Sequence, residues 1–262
     1  MALTYASYLE IDTLLRLQRP RSEPAEHDET LFIIIHQAYE LWFKQLLHEF
    51  DKVAADFSAG DLYGALHTLK RCRTIMKTLV GQLDILETMT PMSFTSFRNR
   101  LESASGFQSA QFRELEFALG HKRADLNFAA LYGADSPGYS ALQRRLNARS
   151  VIDHFYDFLT TLGVAIPSEL RTRNLRESNQ PHAAVQEALL GLYQTRPDAV
   201  LLFELMTDFD EGLQEWRYRH VKAVERTIGN KTGTGGSSGV EFLKQTLFRP
   251  AFPDLWAIRH RL

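Results

Sequence analysis

One long segment of the sequence carries apolar side chains at helical spacing and predicts a buried helix around which the rest of the chain packs. From Ala199 onward an apolar position recurs every three or four residues, which places these side chains on one stripe of an α-helix. Gly229 follows, and glycine readily takes the left-handed conformation that ends a helix. The stripe consists of Leu202, Leu205, Phe209, Leu213, Trp216, His220, Val224 and Ile228. His220 thus stands where an apolar residue is expected.

The role of His220 stays open on spacing alone. A histidine on an apolar face is more often a core residue bonded to a backbone carbonyl than a ligand to a metal or cofactor. The segment 233–239 follows soon after and has four glycines among its seven residues. Its backbone could approach a bound group closely, or it could be a flexible linker, and the apolar residues that resume at Val240 favour the first interpretation. It lacks the glycine–lysine order of a phosphate-binding P-loop.

Composition limits the classes of function. The chain has 262 residues, 44% of them hydrophobic, which is enough for a sizeable core. Lys and Arg number 30 against 32 Asp and Glu, so general binding to nucleic acid or to an anionic membrane is not expected. Cys72 is the only cysteine, which excludes an internal disulfide and any cysteine-rich metal site. Without a membrane-spanning or signal-peptide pattern, we expect a soluble cytoplasmic protein with no membrane partner.

The first residues, 1–20, form an amphipathic and unusually aromatic arm. Tyr5, Tyr8 and Leu9 belong to it, and Pro20 ends it. Such side chains need a partner surface, either on their own subunit or on a neighbouring chain.

A second buried-face histidine occurs in the next helix. Asp28 and Glu29 begin this helix, because acidic side chains are favoured in a first turn. Its apolar face carries Phe32, Ile35, His36, Tyr39, Phe43, Leu46, Leu47 and Phe50. A further helix, predicted over Leu62–Leu86, repeats the same spacing and contains only residues of structural character.

Arginine and two aromatic residues share one face of a short predicted helix. Phe94, Phe97 and Arg98 are spaced by three and four residues. An arginine in such a place is suited to the carboxylate of an apolar ligand, although a surface arginine whose stem covers an aromatic ring is the commoner arrangement.

The remainder also predicts helices. Shorter ones are expected over 138–148, 151–162 and 183–193, and no alternating strand pattern or internal repeat competes with them. Phe252 and Trp256 in the tail are expected to dock on the core. The fold class is therefore all-α, a single-domain helical bundle over residues 1–262.

Five blocks of sequence together carry a resemblance that spacing does not reveal. They are HDETLFIIIHQAYELWFK (27–44), FR (97–98), SGFQS (105–109), WRYRH (216–220) and GTGGSSG (233–239). In order and relative spacing these blocks resemble the tryptophan 2,3-dioxygenase family. The resemblance is strong at the N-terminal arm, the central blocks and the final third, and weaker from about 125 to 197.

This resemblance implies an all-α enzyme with a haem pocket and one haem b per subunit, ferrous when active. Such an enzyme inserts both atoms of O2 across the indole C2–C3 bond of L-tryptophan to give N-formylkynurenine, the first step of the kynurenine route. It also implies a homotetramer whose N-terminal arms are exchanged between subunits. Single-oxygen insertion into tryptophan or a ring-methylated relative, giving an oxindole, is the alternative that the same scaffold permits. A non-catalytic haem or tryptophan sensor and a purely structural bundle are the others.

The resemblance also implies a role for individual residues. His220 matches the haem-iron ligand, and His36 matches the histidine that faces the substrate indole N–H. Arg98 matches the partner of the substrate carboxylate, and Thr234 matches the threonine near the substrate ammonium, within the active-site loop 229–240 that also contains Gly233. Phe32 and Phe94 match aromatic wall positions, position 94 being tyrosine in some members. Ser105 and Gly106 match the haem-pocket loop, and Tyr5, Tyr8 and Leu9 match the arm that a neighbouring subunit contributes.

Overall fold

The computed structural model describes residues 2–229, 231, 233 and 239–262, and every regular element among them is helical. The α-helices are α1 (Tyr5–Tyr8), α2 (Ile11–Leu14), α3 (His27–Ala59), α4 (Leu62–Leu86), α5 (Pro91–Arg98), α6 (Ala110–Ala118), α7 (Phe128–Tyr132), α8 (Pro137–Asn147), α9 (Val151–Thr161), α10 (Ser168–Arg171), α11 (Ala183–Thr195), α12 (Pro197–Ile228), α13 (Val240–Lys244) and α14 (Pro253–Ala257). Short 3-10 helices span Asn99–Leu101, Gly106–Gln108 and Arg259–Arg261. The predicted all-α class is confirmed.

The long helices α3, α4 and α12 form the centre of the fold. Helix α4 packs against both α3 and α12, while α9 covers α3 and α11 covers α12. The turn between α3 and α4 is built from Gly60, in the left-handed conformation at φ 72°, and Asp61, whose side chain accepts a hydrogen bond from the Gly64 N–H at 2.9 Å. Because both ends are capped locally, the two helices turn back on each other with little chain between them.

The apolar stripe of α12 divides into two parts. Leu202, Phe209 and Leu213 are at most 1% exposed and belong to the main core. His220 and Val224, nearer the end of the helix, instead border a cavity. Gly229 ends the helix with φ 59° and ψ −139°, so its ψ differs from the left-handed helical value that the sequence predicted, although its φ is positive as expected.

The remaining predicted elements are also present. Helices α8, α9 and α11 lie where the three shorter helices were expected. Phe252 in the tail is buried, and the indole Nε1 of Trp256 donates to Asp210 Oδ2 at 2.9 Å, which confirms the predicted docking. Helix α6 was not predicted, because its buried face includes Arg113 and Glu116 and the charges interrupt the apolar period.

No helix among the described residues combines the length and the apolar character needed to cross a membrane.

Candidate active site

A cavity of about 280 Å³ lies between α3, α5, the end of α12 and α13. Most of the residues singled out from the sequence border it, although they come from four separate parts of the chain. Those that the structure brings together are Phe32, His36, Phe94, Arg98, Ser105, Gly106, His220 and Gly233. Thr234 lies outside the described residues. Tyr5, Tyr8 and Leu9 are not part of the cavity wall on their own chain.

Helix α3 supplies the wall that carries Phe32 and His36, one turn apart. The start of this helix is anchored by Glu29, whose carboxylate accepts the backbone N–H groups of Arg21 at 2.7 Å and Ser22 at 3.0 Å. The His36 Nδ1–H donates to the Phe32 carbonyl at 2.7 Å, because a carbonyl oxygen can only accept. This bond leaves His36 Nε2 as an acceptor. Burial lowers the pKa of His36, so its ring is neutral at neutral pH.

Helix α12 supplies a second histidine, which is held by ring stacking. The His220 ring stacks on Trp216, with ring centroids 5.2 Å apart and planes 9° from parallel. Trp216 is itself held by Tyr39, Phe43 and Phe112, with ring centroids between 4.9 and 6.1 Å away. Burial, and to a lesser extent His36, lower the pKa of His220 to about 4. Within the part of the chain that the structure describes, neither nitrogen of this neutral ring hydrogen bonds to protein.

Helix α5 places an aromatic group beside Arg98. Thr90 caps this helix by accepting the Ser93 N–H at 3.1 Å, and Pro91 occupies its first turn. Phe94 and Phe97 are buried and contact each other and Phe32, with ring centroids between 5.4 and 5.7 Å apart. Arg98 follows at the end of the helix and borders the cavity next to Phe94. The shared face predicted from the spacing of these residues is therefore present.

Two glycine-containing segments complete the wall. In the first, Ser105 caps the short helix Gly106–Gln108, its hydroxyl accepting the Phe107 N–H at 3.3 Å. In the second, Gly239 has φ 61°, and a Cβ at this position would lie 2.7 Å from the Lys231 carbonyl oxygen. Residue 239 therefore requires glycine, on grounds of both space and backbone conformation.

The cavity also has charged groups that the sequence did not single out. Glu40 borders it and accepts a hydrogen bond from Gln111 Nε2 at 2.8 Å. Arg113 and Arg217 border it as well, and both form ion pairs with the buried Glu116. Their positions in the sequence carry no distinguishing pattern, because charges at ordinary helical spacing usually lie at the surface. Only the packing of α6 on α3 and the salt bridge from Glu116 to Arg217 of α12 reveal them.

Comparison with known proteins gives matches along the whole chain. A family model described as tryptophan 2,3-dioxygenase matches residues 1–159 and 168–262. A tryptophan 2,3-dioxygenase of Anaeromyxobacter dehalogenans is 54% identical over 100% of this chain and 97% of its own length. One from Herpetosiphon aurantiacus is 54% identical over 98% of each chain. One from an Arthrobacter species is 40% identical over 98% of this chain and 91% of its own length.

Proposed function

The chain belongs to the tryptophan 2,3-dioxygenase family, and on that premise we propose that it inserts both atoms of O2 across the indole C2–C3 bond of L-tryptophan, giving N-formylkynurenine. The observation that carries this proposal is the pair of neutral histidines on two walls of one cavity. One histidine has a nitrogen committed to the backbone, and the other has neither nitrogen committed within the described residues.

The residues of the cavity fit a haem. A histidine that ligates haem iron must be neutral and must have a nitrogen free to bind, and His220 meets both conditions within the described residues. Stacking on Trp216 fixes the orientation of its ring. When bound on His220, a single haem b in its ferrous form would supply the iron at which O2 is activated.

His36 orients the substrate. Because its Nδ1–H is bonded to the Phe32 carbonyl, its Nε2 presents a lone pair that can accept the indole N–H. A histidine whose pKa is lowered by burial is a weak base. We therefore infer that His36 holds the indole by a hydrogen bond and does not remove its proton.

The other residues bind the amino-acid end and the ring. Arg98 pairs with the substrate carboxylate, because a guanidinium stays charged and presents two parallel donors. Phe32 and Phe94 pack against the indole and exclude water. Gly106 and Gly233 allow the backbone to approach the bound groups closely, Ser105 caps the short helix that carries Gly106, and we assign the substrate ammonium to Thr234.

We further propose that the working form is a cytoplasmic homotetramer of single-domain subunits. On their own chain Tyr5 and Tyr8 are 77% and 71% exposed, and Leu9 is 42% exposed, so these three apolar side chains lie at the surface of their own subunit. Docking of this arm into a neighbouring subunit would bury these side chains and close that subunit's cavity.

Product analysis under ¹⁸O₂ tests the reaction. The reduced, haem-loaded protein is incubated with tryptophan, and we expect N-formylkynurenine that carries two labelled atoms. A product with one labelled atom would overturn the dioxygenase proposal in favour of single-oxygen insertion into an oxindole. Tryptophan binding without any product would instead indicate a sensor, and absence of a Soret band after haem reconstitution would remove the haem assignment itself.

A further inference from the structure

Two buried charges of opposite sign on helix α12 bind the backbone of residues 246–252. Asp210 and Arg217 lie two turns apart on this helix, so they point to the same side. Asp210 accepts the backbone N–H groups of Ala251 at 2.9 Å and Phe252 at 3.1 Å. Arg217 takes the complementary groups, since its Nη1 donates to the carbonyls of Arg249 at 3.1 Å and Thr246 at 3.4 Å.

A side chain of α6 also holds the guanidinium of Arg217. Its Nη2 donates to Glu116 Oε1 at 3.1 Å, while the other oxygen of Glu116 accepts from Arg113 Nη1. All three side chains are at least nine-tenths buried. Removing one partner of such a set leaves uncompensated charge in the interior, which is strongly destabilising. Arg217 therefore joins α6, α12 and the segment 246–249 at one point.

The two charges hold parts of the chain with different relations to the cavity. Thr246, bonded to Arg217, borders the cavity, as do Phe242 and Leu243 just before it. The residues that Asp210 holds, Ala251 and Phe252, belong to the main core. The wall 242–246 thus depends on Arg217, whereas the tail after it depends on Asp210.

A direct contact connects this wall to the proposed substrate side. The ring of Phe242 meets the ring of Phe107 edge to face, with centroids 4.9 Å apart. Phe107 lies beside Gly106 in the short helix capped by Ser105. A displacement of 242–246 therefore moves Phe242 away from the segment that borders the substrate.

We propose that Arg217 is a positioning residue for tryptophan binding, which acts by fixing the wall 242–246 against Phe107 and so against the cavity. This inference rests on the proposed function for the identity of the ligand. It assigns Arg217 no contact with the reacting atoms. The haem-iron ligand His220 is held separately, by its stacking on Trp216.

The test compares Arg217→Gln with Asp210→Asn in the haem-loaded protein. Both changes remove a buried charge of α12 that hydrogen bonds to the backbone of residues 246–252, so both should lower the midpoint of thermal unfolding. We expect Arg217→Gln to raise the tryptophan dissociation constant about tenfold or more with an unchanged Soret band, because small misplacements of a binding wall are costly. Asp210→Asn should leave that constant within about twofold of wild type. Arg217→Lys keeps the charge but replaces the planar fork of donors with one ammonium group, so its tryptophan dissociation constant should fall between those of wild type and Arg217→Gln.

Three results would overturn the proposal. One is a folded Arg217→Gln protein that binds tryptophan as wild type does, and another is an equal loss of affinity in Asp210→Asn, which would show a global effect. If Arg217→Gln does not fold, a folded Arg217→Lys protein that binds tryptophan as wild type does overturns the proposal instead. Trypsin cleavage after Lys244 separates this inference from the proposed function, since it needs neither haem nor tryptophan. It should be several-fold faster in the Arg217 variant, and an unchanged rate is the third such result.

Discussion

The α3 and α12 walls of the cavity each present one histidine on an otherwise apolar face, yet the two rings are held differently. His36 is fixed through its Nδ1–H to the Phe32 carbonyl, whereas His220 is fixed by stacking on Trp216. Burial lowers the pKa of both and makes both neutral. Burial therefore does not distinguish an iron ligand from a substrate-facing residue. Hydrogen bonding differs between the two rings, because the bond from His36 Nδ1–H to the backbone fixes its tautomer and leaves Nε2 to face the cavity, while His220 has no such bond within the described residues. A metal-ligating histidine can also hold its second nitrogen in this way, so the assignment of His220 to the iron and of His36 to the substrate rests on the family resemblance.

Replacement of His220 should give the largest effect. We expect His220→Ala to lose stable haem binding, because no other described histidine on the α12 wall can take its place. The measurement is the haem content and Soret absorbance after reconstitution and gel filtration. Full haem content in His220→Ala would refute its assignment as the ligand.

His36→Ala is the matched variant on the opposite wall. It should retain haem and lose about tenfold in tryptophan affinity, as expected for one hydrogen bond to the indole N–H. Loss of haem in His36→Ala with retention in His220→Ala would mean that the two walls have been assigned the wrong way round.

Among the substrate-binding residues, replacement of Arg98 should give the largest effect, and it should affect substrate binding alone. Arg98 lies at the end of α5, which packs on both α3 and α12, so it borders the cavity between the two histidine walls. We expect Arg98→Ala to weaken tryptophan binding by about 2–5 kcal/mol, the usual cost of removing one partner of a buried charge pair. Titration of the haem-loaded protein with tryptophan measures it.

A control for Arg98 lies two residues further along the chain. Arg100 is exposed and does not border the cavity, so Arg100→Ala should leave tryptophan binding within about twofold of wild type. A second comparison uses tryptamine, which lacks the carboxylate. If Arg98→Ala weakens binding of tryptophan and tryptamine equally, the carboxylate is not its partner.

The sequence predicts the helices that carry the site better than the contacts that define it. The periods of α3, α4 and α12 follow from apolar spacing, and Gly229 marks the end of α12. Phe94, Phe97 and Arg98 were placed on one face by the same reasoning. Spacing left His220 ambiguous, however, because the same pattern fits a core histidine. Only the resemblance to the family paired it with His36, and only the structure shows the difference in their hydrogen bonds.

The buried charged residues could not be predicted from the sequence, for a physical reason. Arg113 and Glu116 lie on the buried face of α6, where they break the apolar period that would predict the helix. Arg217 stands in the motif that carries the resemblance, yet nothing in its spacing indicates that it bonds to carbonyls of the segment 246–249. Such pairs are set by the packing of distant segments, which a local pattern does not encode.

The pH dependence of folding should give the smallest effect, and it reports how strongly burial desolvates each histidine. In the absence of haem, the pKa of His220 is about 4 in the folded protein, against about 6.5 in the unfolded chain. Between these values the unfolded chain binds the extra proton, so the free energy of unfolding falls as the pH is lowered from about 6.5 to about 4 and is constant in this respect outside that window. The contribution is on the order of 3 kcal/mol at most.

Urea unfolding of the haem-free protein at a series of pH values measures this contribution. The free energy of unfolding of His220→Ala should depend less steeply on pH through that window than that of wild type. Above pH 6.5 the two proteins should have the same slope. His36→Ala should flatten the dependence as well, since burial also lowers the pKa of His36. An equal effect of the two substitutions would show that the α3 and α12 walls desolvate their histidines alike. A wild-type slope in His220→Ala would show that this ring is not held neutral by burial, and the reason for regarding it as a ready ligand would be lost.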